Sequence, residues 1–539
     1  MPGTGDPIQR ALRRRAAELR GEWTADEAGV GTTRRAFLGR TAGAGLAAWA
    51  AWPALASAAP RRAHQARHRA RVVIVGAGLA GLTCAYRLRQ HGVHADVFEA
   101  RTDRVGGRCW TVRIFEHGQV SEHGGEFIDT RHVHTLAIVK ELGLTLEDRE
   151  AHSAPSDAVR PLWLNGRLRD PAKVYAGFDR MYRRLVKDYK RIGNYRYDRA
   201  SEAARTFDEM TVLEWLDQHV DDPLLREAID IGQSGFYGVD SANMSAINLL
   251  EAYVAPYPGA DERYHTHGGN DLIPKGMAAT LDDGAIHLDS PLRAMWRRSD
   301  GTYALRFGGI ARPVLADRVV LSLPFTALRD VELAGVGFSE KRLESIQQLG
   351  MGTNAKNHVQ LRTRPYRIGK WSGGMTMDAP FRQSSWDSTE GQSGPTGVIT
   401  IWRGGRSGAS YPTGIPHQRT PEPIVDANLA AFERGVPGIT DAFNGHSWLD
   451  AWVNDPWVRG SYAGFLPGQY TRYWGTWDAG RGSAFCRRAH LDVQPGVFER
   501  WCRERRPRGP RGARRDLITS VGHDVTRATT TRGGTGCAS

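Results

Sequence analysis

Cysteine is scarce: five among 539 residues, none in a C-x-x-C pair and none grouped with histidine at zinc-ligand spacing. This excludes a disulfide framework and any metal site readable from local spacing. Cys84 and Cys109, set among glycine-rich stretches, are expected to pack as small apolar residues. No sequence repeat is present. The one uncharged run near the start, Thr41 to Pro60, is Ala/Gly-rich, weakly apolar and interrupted by Pro53, so no stable membrane anchor is expected. The body also lacks the positive charge that the formal +13 suggests. Residues 1–71 hold 13 Arg against 5 acids and residues 481–539 hold 13 Arg against 5, which leaves 46 basic against 49 acidic residues between them. Nucleic-acid binding thereby loses its main support, and no nucleic-acid partner is expected.

The start of the chain reads as an address. Thr33-Arg34-Arg35-Ala36-Phe37-Leu38-Gly39 matches the twin-arginine export pattern, and Ala56-Ser57-Ala58 suits a signal peptidase. Residues 1–59 are therefore predicted to be a signal segment outside the fold and 60–70 a linker. The twin-arginine machinery is the expected partner, and the destination secreted, periplasmic or cell-surface. The remaining length, roughly 480 residues, suffices for two or more cores.

The organising stretch is Val72 to Tyr86. Val72-Val73-Ile74-Val75 reads as a short buried strand, and Gly76, Gly78 and Gly81 follow at G-x-G-x-x-G spacing. Leu79, Leu82, Ala85, Tyr86 and Leu88 then recur at helical intervals. Gly76 permits the tight strand-to-helix turn, Gly78 lets a diphosphate approach the backbone, and Gly81 lets helix and strand pack closely. The helix N-terminus offers free N–H groups to the phosphates. Ala95-Asp96-Val97-Phe98-Glu99-Ala100 reads as the second strand, with an acid at its end: Glu99 lies 18 residues after Gly81, where a carboxylate can hold a ribose hydroxyl pair.

Arg101 and then Val105-Gly106-Gly107-Arg108 follow, and a second glycine pair sits in Glu122-His123-Gly124-Gly125-Glu126-Phe127. Here the chain resembles the flavin-containing amine oxidases, the family of monoamine, polyamine and L-amino-acid oxidases. The resemblance implies non-covalent FAD, with Arg101, Gly107 and Arg108 at its diphosphate and Gly124, Gly125 and Glu126 near its ring. Ile286 to Leu292 resembles a strand that contacts the adenine, which makes Leu292 a candidate FAD residue. Gly350-Met351-Gly352-Thr353-Asn354-Ala355-Lys356 resembles the segment whose lysine holds a water against flavin N5, so Lys356 is the catalytic candidate. Asp455 to Gly468 resembles the segment whose aromatic faces the flavin, and Tyr462 matches it. Ser461 stands where some relatives carry a flavin-linked cysteine, and serine cannot make that thioether.

The implied fold class is α/β, a Rossmann-like FAD-binding domain interleaved with a mixed helix/sheet substrate-binding domain. The expected FAD-binding parts are 71–146, 264–340 and 444–480, and the substrate-binding parts 147–263 and 341–443. Between Pro161 and Leu250 the pattern is helical, with Phe178, Met181, Tyr182 and Leu185, then Val212, Trp215 and Leu216, as apolar faces. After Trp477-Asp478 the family pattern breaks into an Arg-rich, Lys-free tail, 481–539, expected to be disordered. Codons permitted by residues 487–505, read from the second base of the Arg487 codon, allow Gly-Glu-His-Thr-Ser-Thr-Tyr-Ser-Gln-Gly and later Val-Glu-Ser-Gly. That is the motif the family carries here, and it points to a one-base frameshift between Asp478 and Cys486. The implied activity is oxidation of an amine or amino acid, with O2 as the second substrate. A non-catalytic homologue that cannot hold FAD and a flavin oxidoreductase on a non-amine remain the alternatives, and the oligomeric state stays open.

Overall fold

The Val72–Val75 strand, buried at every residue, is central in a small parallel sheet. It pairs with Ala95–Phe98 on one side and Arg318–Leu321 on the other, and Ile286–His287 closes the edge. A strand buried on both faces needs an unbroken apolar run, which this stretch supplies. The structure is a computed structural model. It describes residues 70–477 apart from 153, 255–260 and 413, together with residues 12, 15, 16, 18 and 19. The twin-arginine motif, the uncharged run, the linker up to residue 69 and the tail from 478, with its proposed frameshift, lie outside the described residues. Among those residues no helix is long and apolar enough to cross a membrane.

The Leu79–Gln90 helix leaves the first strand through Gly76 at φ +102°, a left-handed conformation that glycine adopts freely. A methyl group on Gly81 would lie 2.0 Å from the Gly76 carbonyl oxygen, so only glycine permits this helix-to-turn contact. A three-stranded antiparallel meander, Leu292–Arg297, Tyr303–Phe307 and Val314–Ala316, lies beyond the parallel sheet.

A second, eight-stranded sheet carries the other half of the cavity wall. Its order is His417–Arg419, Phe443–Ala451, Ala355–Leu361, Gly397–Arg403, Gln383–Asp387, Met375–Met377, Leu162–Leu164 and Arg167–Arg169. Phe443–Ala451 pairs along Ala355–Leu361, so these residues extend the large sheet. The expected domain boundary at 443/444 therefore does not separate the two sheets; hydrogen bonding binds 444–451 to the substrate side.

Helices fill the middle of the chain. Phe178–Ile192 buries Phe178, Met181, Tyr182 and Leu185, and Val212–His219 buries Val212, Trp215 and Leu216, each set at the three- and four-residue steps of one helix face. Asp222 caps Pro223–Tyr237 by accepting from the N–H groups of Leu224 and Leu225. One expectation fails at the chain start. Leu12, Ala16 and Leu19 are buried in the same apolar core as this helical layer, and Arg15 pairs with Asp179 at 2.6 Å. Part of the segment before Arg34-Arg35 is thus built into the fold, because apolar residues at four- and three-residue steps give it a face to bury. Cys84 and Cys109 are free thiols, and buried Cys109 packs with its Sγ 3.3 Å from the Asn270 carbonyl oxygen.

Candidate active site

One cavity runs between the two sheets. Gly76, Gly78, Glu99, Arg101, Gly107, Arg108, Gly124, Gly125, Glu126, Leu292, Lys356 and Tyr462 all line it. Gly81 does not; it stands behind the turn and acts through packing.

At the dinucleotide end, Gly78 begins the helix with no side-chain cap, and the first turn carries no acid. The free N–H groups there form an anion site. A methyl group on Gly78 would meet no protein atom within 4 Å, so the space it faces is left open on the cavity side. Glu99 is held in place by the N–H groups of Ala77 at 2.7 Å and Arg101 at 3.0 Å, one on each carboxylate oxygen. Arg101 is anchored by Asp455, and Arg108 donates to the Ser461 carbonyl. Burial draws the Arg108 guanidinium down to about 10, still a cation at neutral pH. An open glycine cradle, an uncapped helix start, a carboxylate and two half-buried cations fit a flavin adenine dinucleotide.

The far end is built by the large sheet. Register sets Lys356 opposite Trp402 on one neighbouring strand and Asp450 on the other. Lys356 Nζ donates to the Glu122 carbonyl at 2.9 Å and to Glu126 Oε2 at 2.7 Å. Glu126 Oε1 accepts the Trp386 indole N–H at 2.9 Å. Burial alone would raise the Glu126 carboxyl, but the Lys356 charge and these hydrogen bonds hold it at about 2. The Trp386 and Trp402 rings lie 5.8 Å apart, and the Lys356 ammonium sits 5.6 Å and 6.0 Å from their centroids. Tyr462 and Phe127 complete the aromatic lining. Ser461 directs its hydroxyl to Asn354 at 2.6 Å and carries no thiol for a flavin linkage.

Sequence reasoning missed three parts of this site. Trp386 and Trp402 come from strands buried at every residue, Gln383–Asp387 and Gly397–Arg403, where no alternation marks the face toward the cavity. The Lys356–Glu126 pair joins residues 230 positions apart. His123, His417 and Asp450 also converge, with ligand-capable atoms within 4.8 Å of one another, although nothing in their spacing brings them together.

Residues 79–497 match the family described as flavin containing amine oxidoreductase, and the chain belongs to that family. Its cofactor is FAD. The chain is 32% identical to the putrescine oxidase of Kocuria rosea over 266 residues, 46% of this chain and 54% of that enzyme, so the matched stretch spans about half of the relative. It is 25% identical to the flavin-dependent L-tryptophan oxidase RebO of Lentzea aerocolonigenes over 426 residues, 73% of this chain and 87% of the relative. Among solved structures, putrescine oxidase bound to putrescine superposes with a TM-score of 0.65 at 24% identity, covering 77% of this chain and 93% of the other. Cyclohexylamine oxidase from Brevibacterium oxydans IH-35A gives 0.65 at 19% identity, with 78% and 93% covered. These two share the fold.

Proposed function

We propose that the protein is an exported FAD-dependent amine oxidase that acts on a primary or secondary amine, or an amino acid, with O2 as the second substrate. The observation that carries this reading is one buried ammonium, Lys356, set among tryptophan and tyrosine rings at the far end of a cavity that begins at a dinucleotide motif. FAD held by Gly76, Gly78, Glu99, Arg101 and Arg108 would supply the hydride acceptor for the carbon bearing the nitrogen, with O2 as the final electron acceptor and H2O2 as the product.

The residues supply placement and electrostatics. Lys356 has three N–H donors, and Glu122 and Glu126 take two of them. The third is left for a water or for the substrate. Glu126 balances the ammonium, so the reacting end of the cavity carries no net charge from this pair. The π faces of Trp386, Trp402 and Tyr462 orient an amine and exclude water. The amine must lose its proton to release the hydride, and an apolar wall favours the neutral free base. The twin-arginine motif and the cleavage site support export in the folded, cofactor-loaded form.

Oxygen consumption with a panel of amines and amino acids tests the reading. It predicts oxygen uptake with stoichiometric peroxide for at least one amine, and uptake without any amine dependence would contradict it.

A further inference from the structure

A second polar group occupies the same face of the large sheet as Lys356. His417, Asp450, Lys356 and Trp402 stand opposite one another on four neighbouring strands, so their side chains project together. Three imidazoles gather around the Asp450 carboxylate. His123 Nδ1 and His417 Nδ1 each lie 2.7 Å from Asp450 Oδ1, and His358 Nε2 lies 3.4 Å from Oδ2. His417 reaches further: its Nε2 is 3.0 Å from Asp455 Oδ2, the oxygen that also accepts the Arg101 guanidinium. Both aspartates are fully buried and His417 nearly so.

Both ring nitrogens of His417 therefore face carboxylates. A neutral imidazole has one N–H and would set a lone pair against an anion, whereas the imidazolium donates to both. His123 has a single carboxylate partner, and burial pushes it down to about 4, so it donates Nδ1–H as a neutral ring. The charges then alternate from Arg101 through Asp455 and His417 to Asp450, and they balance.

We propose that His417 is a positioning residue for the cofactor: as an imidazolium bridging Asp450 and Asp455, it keeps the Arg101 clamp charge-balanced and steadies the His123–Gly125 wall of the cavity that would hold FAD. The proposal rests on the FAD site described above. Without that proton, two buried carboxylates face one guanidinium, and the surplus negative charge stands beside the diphosphate clamp. The wall is tied to the same network. Trp452 donates to the His123 carbonyl at 2.7 Å, Gly125 N–H donates to the Arg108 carbonyl at 3.1 Å, and the Trp110 ring stacks on His123 at 3.5 Å. A cation held by His123, His417 and Asp450 is the rival occupant. The 2.7 Å contacts are hydrogen-bond lengths, and Asp455 claims the second nitrogen of His417, so the group is complete without a cation.

The charged and titratable groups around His417 are Asp450 on the adjoining strand, Asp455 in the loop behind and His123 beside the glycine pair, with His358 and Arg101 one step beyond. Trp110 and Trp452 close the rest. Burial disfavours the charge, but the hydrogen bonds to Asp450 and Asp455 outweigh it and raise His417 from its ordinary value. A raised value means that the protonated form is held to higher pH than in an ordinary histidine and is lost as pH rises through the folded value.

The test titrates the FAD-depleted full chain with FAD, following flavin fluorescence from mildly acidic to mildly alkaline pH. The wild type is expected to bind FAD more weakly as pH rises. His417→Gln is expected to bind about tenfold or more weakly at neutral pH, with a flat profile. His417→Gln combined with Asp450→Asn restores the charge balance and is expected to recover most of the loss, which a merely structural defect would not allow. Wild-type affinity in His417→Gln, or a double variant no better than the single one, would overturn the proposal. So would one zinc per purified chain whose chelation abolishes FAD binding. Failure of the wild type to bind FAD at any pH would overturn the FAD reading itself, and the proposal with it.

Discussion

Lys356 Nζ lies 2.7 Å from Glu126 Oε2, and both side chains are buried in the wall of the cavity. A buried pair of this kind is held together less by its own net strength than by the cost of leaving either partner alone. Lys356→Met is therefore expected to destabilise the fold by about 3–5 kcal/mol, the penalty of an uncompensated buried carboxylate. Lys356→Met with Glu126→Gln should recover most of that stability in thermal unfolding. Activity should remain down by about 10²–10³-fold in both, since the donor facing the reacting centre is gone.

The same pair sets the acid limit. Glu126 titrates at about 2 in the folded chain against an ordinary 4.5, and Asp455, balanced by His417 and Arg101, also at about 2 against 3.8. Depressed values mean stabilisation that is present above the ordinary values and lost as pH falls through the folded ones. Melting temperature is expected to drop steadily from about pH 4.5 downward, and Glu126→Gln to flatten part of that slope. An unchanged slope in the variant would show that the pair carries no such linkage.

Two glycines three residues apart should fail differently. A methyl group at Gly81 meets the Gly76 carbonyl oxygen at 2.0 Å, so Gly81→Ala is expected to impair folding. Gly78 has an ordinary negative φ of −74° and open space at its Cβ. Gly78→Ala should fold with nearly unchanged melting temperature and lose affinity for FAD, as fluorescence titration would read.

The start of the chain offers a stability test. Leu12 is 4% exposed within the main apolar core, and Leu12→Ala should cost about 2–5 kcal/mol. Arg15, whose side chain is 43% exposed in its pair with Asp179, should change stability by less than about 1 kcal/mol when replaced by alanine. Denaturant unfolding of the two variants would separate them.

What was legible in the sequence follows from how local each constraint is. Gly76, Gly78, Gly81 and Glu99 could be read directly because a strand-turn-helix unit demands those residue types at fixed spacing. Phe178, Met181, Tyr182 and Leu185 announced their helix face through period alone. Lys356 and Tyr462 came from resemblance, since a lysine at a strand start has no distinguishing pattern. Trp386 and Trp402 stayed hidden because strands buried on both faces have no alternation. The His123–Asp450–His417–Asp455 chain stayed hidden because three distant segments, around 123, 417 and 450–455, meet only in the folded chain. Leu12 and Ala16 stayed hidden because the Arg34-Arg35 stretch that follows them, read as an export signal, set all of residues 1–59 outside the expected fold.

The most direct measurement is the visible absorption spectrum of the purified protein, recorded before and after anaerobic addition of amines. A flavin spectrum that bleaches with at least one amine, and returns on admitting oxygen, is the predicted result. A protein that binds FAD yet keeps its full flavin absorbance with every amine and amino acid tried would contradict the proposed activity.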